Sequence, residues 1–204
     1  MVQKNRILVN GLITAAGLSK RMGQFKPLMP LQGKTVIESA IDSMLESGVH
    51  QVVIVLGYRA DEVERCLRSR YQNEILLAYN PDYAATDMLE SIKCGLRAMP
   101  VCSSFFLLPG DMPAVRKSTF QALVNARPEN RPAVLFPTIN SYRKHPPLID
   151  SSFIPAILNY QGSGGLRQIW ISLEDHILTV PVDDNGVSLD LDTMSDYQNC
   201  LTIL

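Results

Sequence analysis

Short apolar runs recur along the chain, each followed by a stretch with helical spacing, and few architectures accommodate that rhythm. The runs are "ILVNGLITAA", "QVVIVLG", "EILLAYN", "SSFFLLPGDMP" and "AVLFPT". "QVVIVLG" has no polar alternation, as expected of a parallel strand covered on both faces. Between the runs, "TVIESAIDSMLESG" sets Val36, Ile37, Ala40, Ile41, Met44 and Leu45 on one helical face. Thr35 with Glu38 fits a capping box, and Gly48 supplies the stop. "ADEVERCLRSR", "TDMLESIKCGLRAM" and "KSTFQALVNA" read as further helices, as do residues 153–159, 166–173 and a closing helix from Ser195. "HILTVPVDD" and "VSLDLDT" read as late strands. The alternation predicts an α/β fold with a mostly parallel sheet and helices on both faces. Residues 1–204 show no repeat, low-complexity tract or linker, so a single domain is expected, and the Pro-, Arg- and Lys-rich stretch 128–150 is its expected excursion from the sheet.

Composition narrows the function. Lys and Arg number 19 against 20 Asp and Glu, a balance that offers no basic surface for general nucleic-acid binding. No stretch approaches the ~20 apolar residues of a membrane span, and the apolar run in "MVQKNRILVNGL" is too short for a signal peptide. A cytoplasmic protein is expected. Cys66, Cys94, Cys102 and Cys200 lack CxxC or Cys/His metal spacing and are expected as reduced, small apolar residues.

In open parallel sheets ligands bind beyond the carboxyl ends of the strands. That rule selects residues 15–26, 57–59, 109–113 and 190–193. In the first loop, Gly17 permits close backbone approach, and Arg21 and Lys26 bring charge toward polyphosphate oxygens. Neither GxxxxGK[ST] nor GxGxxG is present, and a βα turn with two solvated cations is the plainer alternative. In "LLPGDMP", Asp111 ends a buried strand, where a carboxylate needs a partner. Mg²⁺ bridging to substrate phosphates would satisfy it, and so would an N-cap or Asx-turn role. Alternation in "SLDLDT" puts Asp190 and Asp192 on one face, for a cation or for solvent. His145, with Arg143 and Lys144, either reaches a phosphate or lies in a solvated Pro-rich loop. "GSGGLR" is an anion-binding turn or simply flexible. His50 and His176 read as surface residues, and Trp170 as core.

These stretches, in order along almost the whole chain, resemble the nucleotidyltransferase family that includes the molybdenum cofactor cytidylyl- and guanylyltransferases. "TAAGLSKRMGQFKPLMPLQGKTVIE" follows the pattern AAG-x-S-x-R-M-G-x-x-K, and "SIKCGLRAM", "LPGDMPAV", "KHPPLI", "GSGGLR" and "VPVDDNGVSLDLDT" continue the match. The resemblance implies a three-layer Rossmann-like nucleotidyltransferase fold. It makes Ala15, Ala16 and Gly17 the backbone wall for the nucleobase, with Ser19 and Gly110 also at the nucleotide. It puts Arg21 and Lys26 on the triphosphate, and Mg²⁺ on Asp111 with Asp192 as second carboxylate. The AAG form favours CTP over GTP. The implied reaction joins CMP to the phosphate of molybdopterin cofactor and releases pyrophosphate, with a molybdenum oxidoreductase as a further partner. Two positions depart from the cytidylyl branch: Lys144 replaces a Gly, and Ser163 stands where the branch carries an acidic residue. Those departures keep open another phosphorylated acceptor, and a non-catalytic cofactor carrier is a further alternative.

Overall fold

The computed structural model describes residues 8–19 and 22–203. In chain order the elements are β1 (Val9–Ala15), β2 (Pro30–Leu31), β3 (Lys34–Thr35), α1 (Val36–Glu46), β4 (Val52–Leu56), α2 (Ala60–Arg68), β5 (Ile75–Tyr79) and α3 (Met88–Arg97). There follow β6 (Ser104–Pro109), α4 (Lys117–Asn125), β7 (Val134–Ile139), β8 (Tyr142–Arg143), β9 (Leu148–Asp150), α5 (Ile154–Asn159), α6 (Gly165–Ser172), β10 (Ile177–Pro181) and α7 (Met194–Ile203).

The main sheet runs β10-β7-β9-β6-β1-β4-β5, with β8 paired to β7. β6, β1, β4 and β5 are mutually parallel, as are β7 and β10. Strand β9 is antiparallel to both β6 and β7 and joins the two parallel groups. The stretch 128–150 is therefore no excursion: it supplies β7, β8 and β9 to the sheet itself. Pro128, Arg131, Pro132, Lys144, Pro146 and Pro147 sit in the connections, Pro137 and Arg143 lie in β7 and β8, and Val134, Leu135, Leu148 and Ile149 are fully or almost fully buried.

Period-two alternation builds two cores. Ile13, Val52, Ile54 and Leu56 face α1, α2 and α4, whereas Leu12, Val53 and Val55 face α3, α5 and α6. The result is a three-layer α/β/α arrangement. Helix α1 begins at the capping box expected from sequence: Thr35 Oγ1 accepts from the Glu38 N–H, and the Glu38 carboxylate accepts from the Thr35 N–H.

One expected strand does not form. Residues 185–188 make a 3₁₀ turn, and no strand covers 189–192. Asp184 wins the competition for this backbone. Its carboxylate accepts from the N–H groups of Arg116 and Gly186 and from the Thr119 hydroxyl, tying the segment to the start of α4. Leu191 is nevertheless buried, and its N–H donates to the Asp111 carbonyl at 3.0 Å. Among the described residues no helix is long and apolar enough to cross a membrane, and the four cysteines are free thiols.

Candidate active site

A cleft of about 320 Å³ opens beyond the carboxyl ends of β1, β5 and β6. Its lining includes Ala15, Ala16, Gly17 and Ser19 from the first loop, Gly110 and Asp111 after β6, and Lys26 and Asp192. Gly17 is exposed, and a β-carbon there would meet no atom within 4 Å, so its backbone stands open toward the cleft. After Gly17 the chain turns at Ser19, a non-glycine residue with φ +52°. Ser19 Oγ accepts from the Lys26 N–H at 3.2 Å, which folds the loop back on itself. Gly110 is buried against β1, donating its N–H to the Thr14 carbonyl at 2.9 Å.

Lys26 lies at the centre. Its ammonium donates to Asp111 Oδ2 at 2.9 Å and to Asp192 Oδ1 at 2.8 Å. The lysine side chain is 10% exposed and each carboxylate 27%. Burial alone would lower the Lys26 pKa, but the hydrogen bonds and charges of Asp192 and Asp111 outweigh it and hold the group above its ordinary value. Residues 26, 111 and 192, far apart in sequence, therefore meet at one point. Gly57 packs the neighbouring loop against this wall: a β-carbon there would lie 2.7 Å from both the Ala16 carbonyl oxygen and Tyr83 Cβ. Tyr58, next to it, donates its N–H to Ala16 O and packs edge-on against Phe25.

The other candidates divide. Arg21 lies outside the described residues. Asp183 and Asp190 are exposed and Asp184 is the structural clamp described above, so these carboxylates do not form one unit with Asp192. Arg143 is engaged by the Glu174 carboxylate and lies over the Phe136 ring. His145 corrects the solvated-loop reading: burial lowers its pKa despite the Leu107 backbone and the charges of Asp111 and Asp190. Its Nδ1 is buried without a hydrogen-bond partner among the described residues, next to a cis peptide bond to Pro146. Ser163 and Arg167 are exposed; the glycine turn at 164–165, with φ +92° and +59°, starts α6 and brings Gly165 close to Asp87. His50 is exposed, His176 is half-buried against Phe153, and Trp170 packs edge-on against Phe136.

One wall of the cleft escaped the sequence reading. Tyr83, Thr86, Asp87, Met88 and Ser91 line it, from the β5–α3 connection and the first turn of α3. The signal was available. β5 is parallel to β4, so its carboxyl-end loop falls under the rule that selected the other loops. Asp87 also announces the helix start, accepting from the Leu89 and Glu90 N–H groups.

Several known proteins are similar to the chain over most of its length. Residues 11–177 match the MobA-like NTP transferase domain. The chain is 32% identical over 191 residues to the molybdenum cofactor cytidylyltransferase of Escherichia coli K12, covering 93% of each chain. It is also 29% identical over 200 residues to nicotine blue oxidoreductase of Paenarthrobacter nicotinovorans, covering 95% of this chain and 96% of that one. Among solved structures, a nucleotidyl transferase from Methanothermobacter shares the fold with a TM-score of 0.81 at 23% identity, covering 96% of each chain.

Proposed function

The chain belongs to the MobA-like NTP transferase family and is an enzyme of the nucleotidyltransferase type, and we propose that it transfers CMP from CTP to the phosphate of molybdopterin cofactor, with Mg²⁺ as its metal. The observation that carries this reading is the meeting of Lys26, Asp111 and Asp192 at the mouth of the Ala15–Ala16–Gly17 loop. The E. coli relative's name supplies the acceptor and the base.

The donor set suits Mg²⁺. Among the described residues no three His, Cys, Asp or Glu side chains gather for a metal. Mg²⁺ needs only one or two carboxylates, because substrate phosphates and water complete its octahedron. Asp111 and Asp192 already share a cation, the Lys26 ammonium, so the space between them accepts positive charge. When bound, Mg²⁺ would neutralise charge on the phosphates undergoing transfer.

The residues then divide the remaining work. The backbone at Ala15, Ala16 and Gly17 holds the base, and Ser19 and Gly110 flank the phosphates. Lys26, with Arg21 as expected from the sequence, stabilises the charge that builds on the departing pyrophosphate. An oxygen of the acceptor phosphate attacks the α-phosphorus, and the bond from that phosphorus to the β-phosphate bridging oxygen breaks. The electron pair leaves with pyrophosphate. The attacking phosphate is already ionised near neutral pH, so alignment and charge suffice and no general base is needed.

A second reading keeps the chemistry and changes the acceptor. Lys144 and Ser163 motivate it, since both depart from the pattern of the cytidylyl branch. Mg²⁺-dependent pyrophosphate release with CTP, GTP and ATP, each with molybdopterin cofactor and with a panel of other phosphorylated acceptors, tests both readings. Release with CTP and molybdopterin alone is the expected result. Release only with another acceptor would replace molybdopterin, and release only with GTP would replace CTP.

A further inference from the structure

The overlooked wall contains a hydrogen-bond chain whose direction can be read. Asn80, one residue beyond β5, is 3% exposed. Its Oδ1 accepts from the Asp82 N–H at 3.0 Å, which fixes the orientation of the amide. Its Nδ2 therefore donates on both sides, to Thr86 Oγ1 at 3.0 Å and to Ser91 Oγ at 3.0 Å. Thr86 passes its hydroxyl hydrogen to the Asp82 carbonyl at 2.9 Å. Ser91 is different. Its oxygen is engaged by Asn80, and the hydrogen bonds among the described residues include none that Ser91 donates. Ser91 also lines the cleft.

A hydroxyl whose oxygen has already accepted an amide N–H has its hydrogen left to give. We propose that Asn80 is a positioning residue that turns the Ser91 hydroxyl into a donor of fixed polarity for the nucleobase. Its partner is the exocyclic carbonyl oxygen of the base, O2 in cytosine. Adenine carries no such oxygen, so the pair works against ATP. The inference rests on the cleft being the CTP site. It adds to the backbone wall a side-chain contact whose direction is set from a buried position behind it.

The test inverts the polarity at Asn80. In Asn80→Asp the carboxylate only accepts, so it captures the Ser91 hydrogen and leaves the base facing an oxygen lone pair. Ser91→Ala removes the hydroxyl. Binding of non-hydrolysable α,β-methylene-CTP with Mg²⁺ is measured by calorimetry for wild type, both single variants and the double variant, and melting temperatures are recorded alongside. Each single variant is expected to weaken binding about tenfold, the upper range for one neutral hydrogen bond. The double variant is expected to bind no more weakly than Ser91→Ala, because Asn80 acts through Ser91. In turnover, the CTP KM of Asn80→Asp rises about tenfold while kcat stays within about twofold.

Unchanged binding in Asn80→Asp, or multiplicative losses in the double variant, would overturn the proposal while leaving the CTP site intact. If Asn80→Asp does not fold, Ser91→Ala carries the decision, and wild-type affinity in that variant overturns the proposal. Wild-type protein that binds no CTP analogue at all would remove the underlying reading of the cleft.

Discussion

Asp184→Ala tests whether a residue outside the cleft holds the cleft together. The Asp184 side chain is 1% exposed. It accepts from the Arg116 N–H at 2.8 Å, the Thr119 hydroxyl at 2.6 Å and the Gly186 N–H at 2.9 Å. Alanine leaves two backbone donors without a partner, and each orphaned donor costs about 1–3 kcal/mol. The Thr119 hydroxyl can turn elsewhere and adds little. Taking the middle of that range gives a loss of about 4 kcal/mol. At about 2–4 °C per kcal/mol for a chain of this size, the melting temperature should fall by about 8–16 °C. The clamp also governs function, because the segment it anchors runs on to Leu191, hydrogen-bonded to Asp111, and to Asp192. Turnover measured well below the melting point should therefore drop as well. Asp184→Asn should lie between the two proteins, since one amide oxygen still accepts. Differential scanning calorimetry with a pyrophosphate-release assay reads both effects. A melting temperature within about 2 °C of wild type would refute the argument that this buried carboxylate organises the segment.

Asp111→Ala and Lys26→Ala should each lower turnover by about 10²–10³ with the fold intact by circular dichroism; near-wild-type turnover in Asp111→Ala removes it from the metal. Gly57→Ala places a methyl 2.7 Å from the Ala16 carbonyl oxygen and Tyr83 Cβ. Such overpacking costs about 1–3 kcal/mol, so the CTP KM should rise about tenfold or more, and an unchanged KM would show that the wall yields freely. Burial, with a smaller contribution from the Asp150 charge, pushes the Cys102 thiol up to about 11. The neutral thiol then persists until the pH passes that value, so iodoacetamide at pH 8 should modify Cys102 on the order of 10²-fold more slowly than a free cysteine. Its rate should climb steeply toward pH 11, and rapid labelling at pH 8, followed by peptide mapping, would contradict the burial argument.

What the sequence revealed tracks where local physics is decisive. The all-apolar "VVIVL" could hide only between two helical layers, and β4 is buried throughout. Thr35 and Glu38 formed their box because a capping box needs residues only three apart. Strand-like alternation pairs Asp190 with Asp192 and the resemblance alone singles out Asp192, yet no strand forms there. A buried carboxylate at 184, engaging residues 116 and 119, redirects the chain, and no local pattern displays so distant a contact. The Lys26 ammonium was expected on a triphosphate. In the structure it rests on the carboxylates at 111 and 192, a pairing that spacing alone does not give. The β5–α3 wall is hidden from sequence for another reason. The spacing of "TDMLESIKCGLRAM" gives a helix but not the cleft that its first turn faces.

Strand β9 has a consequence for how the chain is made. β6 sits between β1 and β9, and its Phe105 and Phe106 are wholly buried. Until residues 148–150 leave the ribosome, β6 is an open edge with unpaired N–H and C=O groups and a strongly apolar sequence. A nascent chain stopped near residue 130 therefore carries most of the cleft lining but a sheet that ends in its own core. Such a fragment should aggregate or recruit a chaperone until β9 covers that edge, and β7, the next strand out, waits in turn for β10. The same antiparallel strand that couples the two parallel groups thus closes the edge of β6 first, and β10 covers β7 only once residue 181 has been made.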